Sequence, residues 1–474
     1  MGALTLDRET RARVWQRVAD ILERYVAEIP DGRVTPRPEL VSRDVRASLE
    51  TLGLDGVPPL AALDFVADGL WRGQVHTPHP RYFGLFNPAP STMSIAADAL
   101  VAGFNPQLAA ASHSPFAVEV EHFLIRSFGD RLGYPAGAID GTFTSGGAEA
   151  NHTALLAALT RACPAFARGG VRALPAQPVL YVSSESHHSF VKAARLCGLG
   201  TDAVRAVATD ATWRLDPGAL RACIDEDRWA GLAPVLIVAS VGTTAGGTVD
   251  PVNDLVEIAG SESIWLHVDA AWGGAAAICA PEIQDAVGAI GRADSITVDA
   301  HKWLSVPMAA GIFLTRHVDA LERAFRVETG YMPASETWSG GDPYAKSIQW
   351  SRRFIGLKVY LSLVVAGWDG YAAVVRNMIA LGDRLRTELQ AAGWRVVNQT
   401  ILPVACFVDA SRPGGADAGY LRAVADRVNG SGRAWISTVR LGGTVDALRA
   451  CITNHRTGPD DVRALVRALD QARG

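Results

Sequence analysis

The sequence has no run of apolar residues long enough to cross a bilayer. Its longest stretches, such as Ala233–Val241, stop well short of the roughly 20 residues a spanning helix needs. It also lacks an excess of charge of either sign: 45 Lys and Arg stand interspersed with 49 Asp and Glu, for a net charge of −4. That balance points away from nucleic acid and from anionic membrane surfaces as partners. The six cysteines form no Cys-x-x-Cys pair, and none stands at metal-ligand spacing from a histidine. A disulfide framework and a structural metal are therefore not expected, and reduced, mostly buried thiols are. Internal repeats and low-complexity tracts are missing as well. The opening Met-Gly-Ala-Leu-Thr-Leu-Asp-Arg has no apolar signal core, and Asp7 and Arg8 do not continue a lipidation pattern after Gly2, so a cytoplasmic protein is expected.

What remains is an ordinary soluble composition, 49% apolar and 20% charged over 474 residues, enough for two or three domains sharing a core. Residues 9–27 carry Val14, Val18, Ile21 and Tyr25 at helical spacing, and further helices are predicted over about 39–52 and 59–72. Three apolar stripes cannot bury one another, so residues 1–88 are expected to pack on another body, either the main domain or, as the favoured case, a second subunit. Residues 76–92 hold four prolines and read as an ordered extended loop. Its aromatics Tyr82, Phe83 and Phe86 either pack or line a pocket. Helices are predicted within 89–111 and over 116–132.

From about 141 the pattern becomes α/β. Predicted strands at Val179–Ser183, Ala203–Val207, Val235–Ser240, Trp265–Asp269, Ser295–Asp299 and Ile312–Thr315 alternate with helices near 149–162, 188–197, 216–226, 252–259 and 318–325. Such alternation implies a mainly parallel sheet covered on both faces, with ligands outside the carboxyl ends of its strands. Residues 89–365 form this large domain. Residues 366–474 read as a small α+β domain: a helix over 371–392, strands at Arg395–Val397, Val404–Val408 and Leu448–Thr453, and a last helix with Thr457 as N-cap.

Four signals fall at predicted strand ends. Thr144-Ser-Gly-Gly-Ala-Glu-Ala-Asn151 opens a helix with adjacent glycines, in outline an anion seat. His187 follows the strand Val179–Ser183 and is either a core histidine or a flat cover for a ring. Asp269 ends an apolar strand, where it either caps backbone or partners a protonated heterocyclic nitrogen. Lys302, in Asp299-Ala-His-Lys-Trp-Leu304, follows the next strand, where apolar neighbours favour a nucleophilic amine. Phosphate seat, ring cover, ring-nitrogen acid and imine-forming lysine together meet the demands of pyridoxal 5′-phosphate.

With these motifs the chain resembles the group II, aromatic-amino-acid-type decarboxylases that use pyridoxal phosphate, from about residue 60 onward. The resemblance implies a fold type I, pyridoxal-phosphate-dependent transferase-like architecture with a seven-stranded sheet, and a homodimer whose active sites lie at the subunit boundary. It implies that Lys302 carries the cofactor, Asp269 binds its ring nitrogen and His187 stacks on its ring. Gly146, Gly147 and Ala148 resemble the phosphate loop, and Thr243, Ala271 and His301 resemble further cofactor contacts. Val327-Glu-Thr-Gly-Tyr331-Met-Pro333 resembles the mobile loop whose tyrosine returns a proton to the substrate carbon, and Arg352 resembles part of a signature that is also consistent with a structural ion pair. Asp299 departs from the asparagine of many relatives. A carboxylate beside a phosphate is unfavourable unless it turns away, so Asp299 is expected to have no ligand role.

Decarboxylation of an L-amino acid is the expected reaction. Tyr82, Phe83, Phe86 and Phe104 suggest a pocket for an aromatic side chain, while Arg81 leaves an acidic substrate open and the phosphate-loop wording also resembles diaminobutyrate decarboxylases. Aldehyde synthesis, transamination, carbon–carbon lysis and a non-catalytic cofactor sensor are the competing functions.

Overall fold

The computed structural model describes residues 4–36, 42–54, 56–330, 341–412 and 417–473. Its centre is a seven-stranded sheet of β1 (Asp140–Thr144), β2 (Pro178–Ser183), β3 (Val204–Val207), β4 (Ala233–Ser240), β5 (Trp265–Asp269), β6 (Ser295–Asp299) and β7 (Gly311–Thr315). The spatial order is β1-β7-β6-β5-β4-β2-β3. Every pair from β6 to β3 is parallel, and β7 alone runs against its neighbours. The strand cores are Val-, Ile- and Leu-rich because helices cover both faces; β1, β2, β5, β6 and β7 are buried at every position.

β1 is not among the strands predicted from the sequence. Its Asp-Gly-Thr-Phe-Thr carries one large apolar residue, so pairing with β7 rather than local pattern makes it a strand. The small sheet is antiparallel, in the order β10 (Ser437–Leu441), β11 (Val445–Cys451), β9 (Val404–Asp409), β8 (Trp394–Val396). β10 escaped the sequence reading because it is a half-exposed edge strand with Ser, Thr and Arg among five residues.

The two sheets are joined by the helix Gly356–Ala391, which runs through residue 366, where the sequence reading divides the chain; Gly367, at φ 66°, interrupts its regular course. Thr457 is not the N-cap of the last helix, Pro459–Ala472. Gly458 is, with its N–H donated to Asp461, while the Thr457 hydroxyl donates to the Pro80 carbonyl 2.7 Å away. At the other end of the chain, Arg8–Glu28 and Pro59–Gly73 pack through Tyr25 against Trp71, ring centroids 5.4 Å apart, yet neither helix buries a residue. No helix among the described residues is long and apolar enough to cross a membrane.

Arg352 is buried and pairs with buried Glu121 at 2.7 Å, while its Nη1 donates to the Phe143 carbonyl. Glu121 also accepts from the backbone N–H groups of Ile355 and Gly356, tying the start of the long helix to the helix Pro115–Arg131. Arg352→Met would leave that carboxylate buried without its cation, so we expect a stability loss of about 3–5 kcal/mol in chemical denaturation. A loss below about 1 kcal/mol would show that the pair contributes no more than a surface ion pair.

Candidate active site

Asp269 is the last residue of β5, and Thr297 of β6 lies opposite it in register. The chain leaves β6 at Asp299 and makes one helical turn, Ala300–Trp303, anchored by the buried Trp303, whose indole N–H donates to Met378 Sδ at 2.8 Å. That turn brings Lys302 back over the tips of the strands. The resulting cavity is lined by Ala148, His187, Thr243, Asp269, Ala271 and Lys302, with Asp299 and Gly147 among their neighbours.

The anion seat is built at the start of the helix Gly147–Ala162. Glu149 folds back and accepts from the Ser145 N–H and hydroxyl at 2.8 and 2.6 Å, which fixes the turn. The first-turn N–H groups of Gly147 and Ala148 are left without helical partners, and the helix dipole adds to their pull on an anion. A Cβ on Gly147 would stand 2.9 Å from Asp299 Oδ2 and 3.3 Å from Ala271 Cβ, so the close approach of the loop to the strand tips demands glycine here.

Asp269 accepts from Asn151 Nδ2 at 2.8 Å and from the Ala271 N–H at 3.1 Å. His187 stands at the cavity rim with Nδ1 accepting from the Ser189 N–H. Thr243 is buried in a tight turn, its hydroxyl accepting from the Thr248 N–H. His301 and Gly146 sit behind the lining: His301 Nδ1 accepts from the Ala310 N–H, and a Cβ on Gly146 would lie 3.5 Å from His301 Cε1. Burial pushes the His301 imidazole pKa down from its ordinary value. Tyr331 lies outside the described residues.

Of the four aromatics expected around a side-chain pocket, only Phe86 comes near the amine. Its ring stacks on Trp272 at 4.5 Å and its centroid is 5.7 Å from Lys302 Nζ. Tyr82 instead stacks on Trp435 at 5.1 Å, and Phe83 is fully enclosed in the core. Phe104 ends the helix Thr92–Phe104 and is 83% exposed within this chain. Proline fixes the loop, but side-chain direction within it was not readable from sequence. Asp299, expected to have no ligand role, faces the amine. It does not turn away: its Oδ2 lies 3.0 Å from Lys302 Nζ, because the helical turn places residues three apart on one face, and its buried Oδ1 has no hydrogen-bond partner.

Sequence reasoning missed Asn151, Trp272 and Arg449. Asn151 stands one helical turn past Gly147, a spacing that puts it under the anion seat. Arg449 is buried on β11 with its guanidinium 5.0 Å from the Phe86 ring centroid and Nη2 unpaired, and no local pattern marks it.

Residues 64–409 match the family described as the pyridoxal-dependent decarboxylase conserved domain. The chain belongs to that family. Its members are carboxy-lyases acting on amino acids, and the cofactor is pyridoxal phosphate. The chain is 32% identical over 378 residues to an aromatic-L-amino-acid decarboxylase of Bacillus atrophaeus, covering 78% of this chain and 76% of that one. It is 30% identical over 402 residues to an L-2,4-diaminobutyrate decarboxylase of Rhizobium meliloti (strain 1021), covering 83% and 78%. In fold it is similar to the Oryza sativa TDC crystal structure with PLP and tryptamine, at a TM-score of 0.90 and 24% identity over 100% of this chain and 99% of that one. The donor set fits the cofactor: free helix N–H groups for a phosphate, an acceptor-only acid, a flat imidazole and an amine share one cavity. Asp299 is the discordant group, an acid beside the anion seat.

A phosphate bound at this seat would add like charge near Asp299, whose Oδ2 would lie 2.9 Å from a Cβ on Gly147. Asp299→Asn should therefore tighten pyridoxal phosphate binding about tenfold, the effect of a charge contact near a protein surface, with a smaller gain for pyridoxal, which lacks the phosphate. Spectroscopic titration of both ligands checks this, and equal gains for the two would remove phosphate repulsion as the cause.

Proposed function

We propose that this protein releases CO2 from an aromatic L-amino acid to give the corresponding amine, using Lys302 as its covalent anchor. The observation that carries this reading is the placement of Asp269 and Lys302 at adjacent strand tips around one cavity with the Gly147–Ala148 anion seat. The cofactor, when bound, supplies an electrophilic carbon for amines and a cationic ring that draws electrons from the bond to a carboxylate.

The chain's residues do the rest. The Gly147 and Ala148 N–H groups bind the phosphate, with Gly146 shaping the loop and His301 supporting it from behind. Asp269 holds the proton on the ring nitrogen. His187, Thr243 and Ala271 confine the ring. Lys302 supplies the amine that the substrate displaces and later takes its place again. Arg449, held by the Ala245 and Gly84 carbonyls through Nε and Nη1, keeps Nη2 unpaired and is suited to hold a substrate carboxylate. Tyr331 delivers the proton to the α-carbon after CO2 leaves.

The stacked Phe86–Trp272 pair beside Lys302 supports an aromatic side chain in the substrate. Exposed Trp15, Leu22, Val66 and Leu70 on the N-terminal helices support a homodimer, in which a partner subunit covers them and contributes to the side-chain pocket. Six free cysteines support a reducing, cytoplasmic setting.

A trapped-CO2 assay over the twenty amino acids plus ornithine, diaminobutyrate, dopa and 5-hydroxytryptophan tests the reaction and its substrate together. Greatest release from an aromatic substrate is expected, and greatest release from diaminobutyrate or glutamate would overturn the aromatic assignment. Lys302→Ala should abolish the borohydride-reducible adduct and CO2 release. Tyr331→Phe should slow amine formation and divert the reaction through molecular oxygen and water to aldehyde, ammonia and peroxide. Undiminished amine output from that variant would take Tyr331 out of the mechanism.

A further inference from the structure

Behind Asp269 lies a row of polar side chains that the proposed chemistry does not use. His267, two residues upstream on the same face of β5, is fully buried. Its ring lies edge-on to Phe190 and stacked with Phe313, with centroids 5.9 and 6.4 Å away. Its Nδ1 is 2.8 Å from Ser295 Oγ and its Nε2 is 3.1 Å from Asn151 Oδ1. Ser295 Oγ is also 2.8 Å from Trp265 Nε1. Thr297 Oγ1 lies 2.8 Å from Asn151 Oδ1. Asn151 Nδ2 reaches Asp269 Oδ2 at 2.8 Å and Ser189 Oγ at 2.9 Å.

The direction of every hydrogen follows from one end. A carboxylate can only accept, so Asn151 turns its amide nitrogen toward Asp269 and its oxygen toward His267 Nε2 and Thr297 Oγ1. His267 is then protonated on Nε2 and donates to Asn151 Oδ1, where Thr297, whose Oγ1 is also 3.2 Å from Nε2, donates as well. Nδ1 is left to accept from Ser295 Oγ, which itself accepts from the Trp265 indole N–H. The amide nitrogen faces Asp269 and Ser189 and donates to both. Burial keeps the imidazole neutral, with its pKa lowered to about 4, as this arrangement requires. Flipping Asn151 would set its oxygen against a carboxylate and its nitrogen against two donors, breaking four hydrogen bonds in a site without water to replace them.

We propose that Asn151 and His267 are positioning residues of the reaction. The one-way chain Trp265–Ser295–His267–Asn151 locks the amide so that Asp269 always receives a hydrogen bond and presents its remaining lone pairs to the cofactor's ring nitrogen. The inference rests on the cofactor reading above for what Asp269 meets, and on this chain's buried contacts for the relay itself. The other ionisable groups lining the cavity, His187, Asp299 and Lys302, make no hydrogen bond to these four side chains: His187 accepts from the Ser189 N–H, and Lys302 pairs with Asp299.

Glutamine supplies a nitrogen donor where imidazole has Nε2, whereas phenylalanine fills the same space with none. His267→Phe in the holoenzyme should lower kcat about tenfold or more with KM within about twofold, the size expected for one lost buried hydrogen bond. The pH at which the bound cofactor's visible band changes should move with it. His267→Gln should recover kcat to within about threefold of wild type and restore the band, because the donor returns. Thr297→Val, nearly isosteric, should shift the band in the same direction as His267→Phe and by less. Loading is read separately from the borohydride-reduced adduct at Lys302. A loaded wild type whose Phe and Gln variants behave alike overturns the relay. If the Phe variant does not fold, an unmoved band in Thr297→Val overturns it instead. A wild type without the adduct defeats the cofactor reading, and the relay's role with it.

Discussion

Two carboxylates and one amine face the same small cavity, and the architecture turns on which acid the amine takes. Lys302 pairs with Asp299 at 3.0 Å, while Asp269 is held by Asn151 and the Ala271 N–H. Had Lys302 fallen to Asp269, the acid that the proposed reaction reserves for a ring nitrogen would already be neutralised by the proposed nucleophile. The separation has a backbone origin. Asp269 ends β5 level with Thr297, and Lys302 comes a full helical turn after β6 ends, which places its amine over Asp299. Charges this close in a poorly hydrated site interact strongly, so small changes in register would reassign the partners.

That geometry requires a scaffold that does not shift. Fully buried strands provide one layer of rigidity, and the core continues without a break from Leu266 and Val268 into Trp394 and Phe407 of the small sheet. Arg352 and Glu121 provide another by clamping the entry to the long helix. Arg352 is thus a structural ion pair, one of the two roles its sequence motif left open. The clamp leans on the carbonyl of Phe143 in β1, one residue before the turn into the anion seat, so it steadies the helix and the seat together.

The parallel strands were legible because burial on both faces writes itself as continuous apolar runs, and their carboxyl ends then named His187, Asp269 and Lys302 as neighbours. Legibility failed where the cause is not local. β1 and β10 are strands through pairing, and Thr457 lost its capping role to a long-range bond with Pro80. Asp299 was expected to avoid the phosphate, but the turn geometry that aims Lys302 aims Asp299 as well. Asn151 closes the Thr144–Asn151 motif without a role read from it, and Arg449 lies in no motif: one needs the helix to bring it beneath Asp269, the other needs the small sheet to dock before it meets Phe86.

Substrate choice belongs to that same non-local class. Relatives named for an aromatic substrate and for diaminobutyrate match the chain at 32% and 30% identity, so overall similarity does not separate them. The charged side chains among the described cavity-lining residues are Asp269, Asp299 and Lys302, and all three stand at the strand tips beside the anion seat. What this chain offers beside the amine is the stacked Phe86–Trp272 pair. A pocket that favoured a second ammonium or a second carboxylate would have to bring its countercharge from beyond this lining, because an unpaired charge in such a site is strongly disfavoured. An aromatic side chain makes no such demand, and it gains contact area from the surface already present.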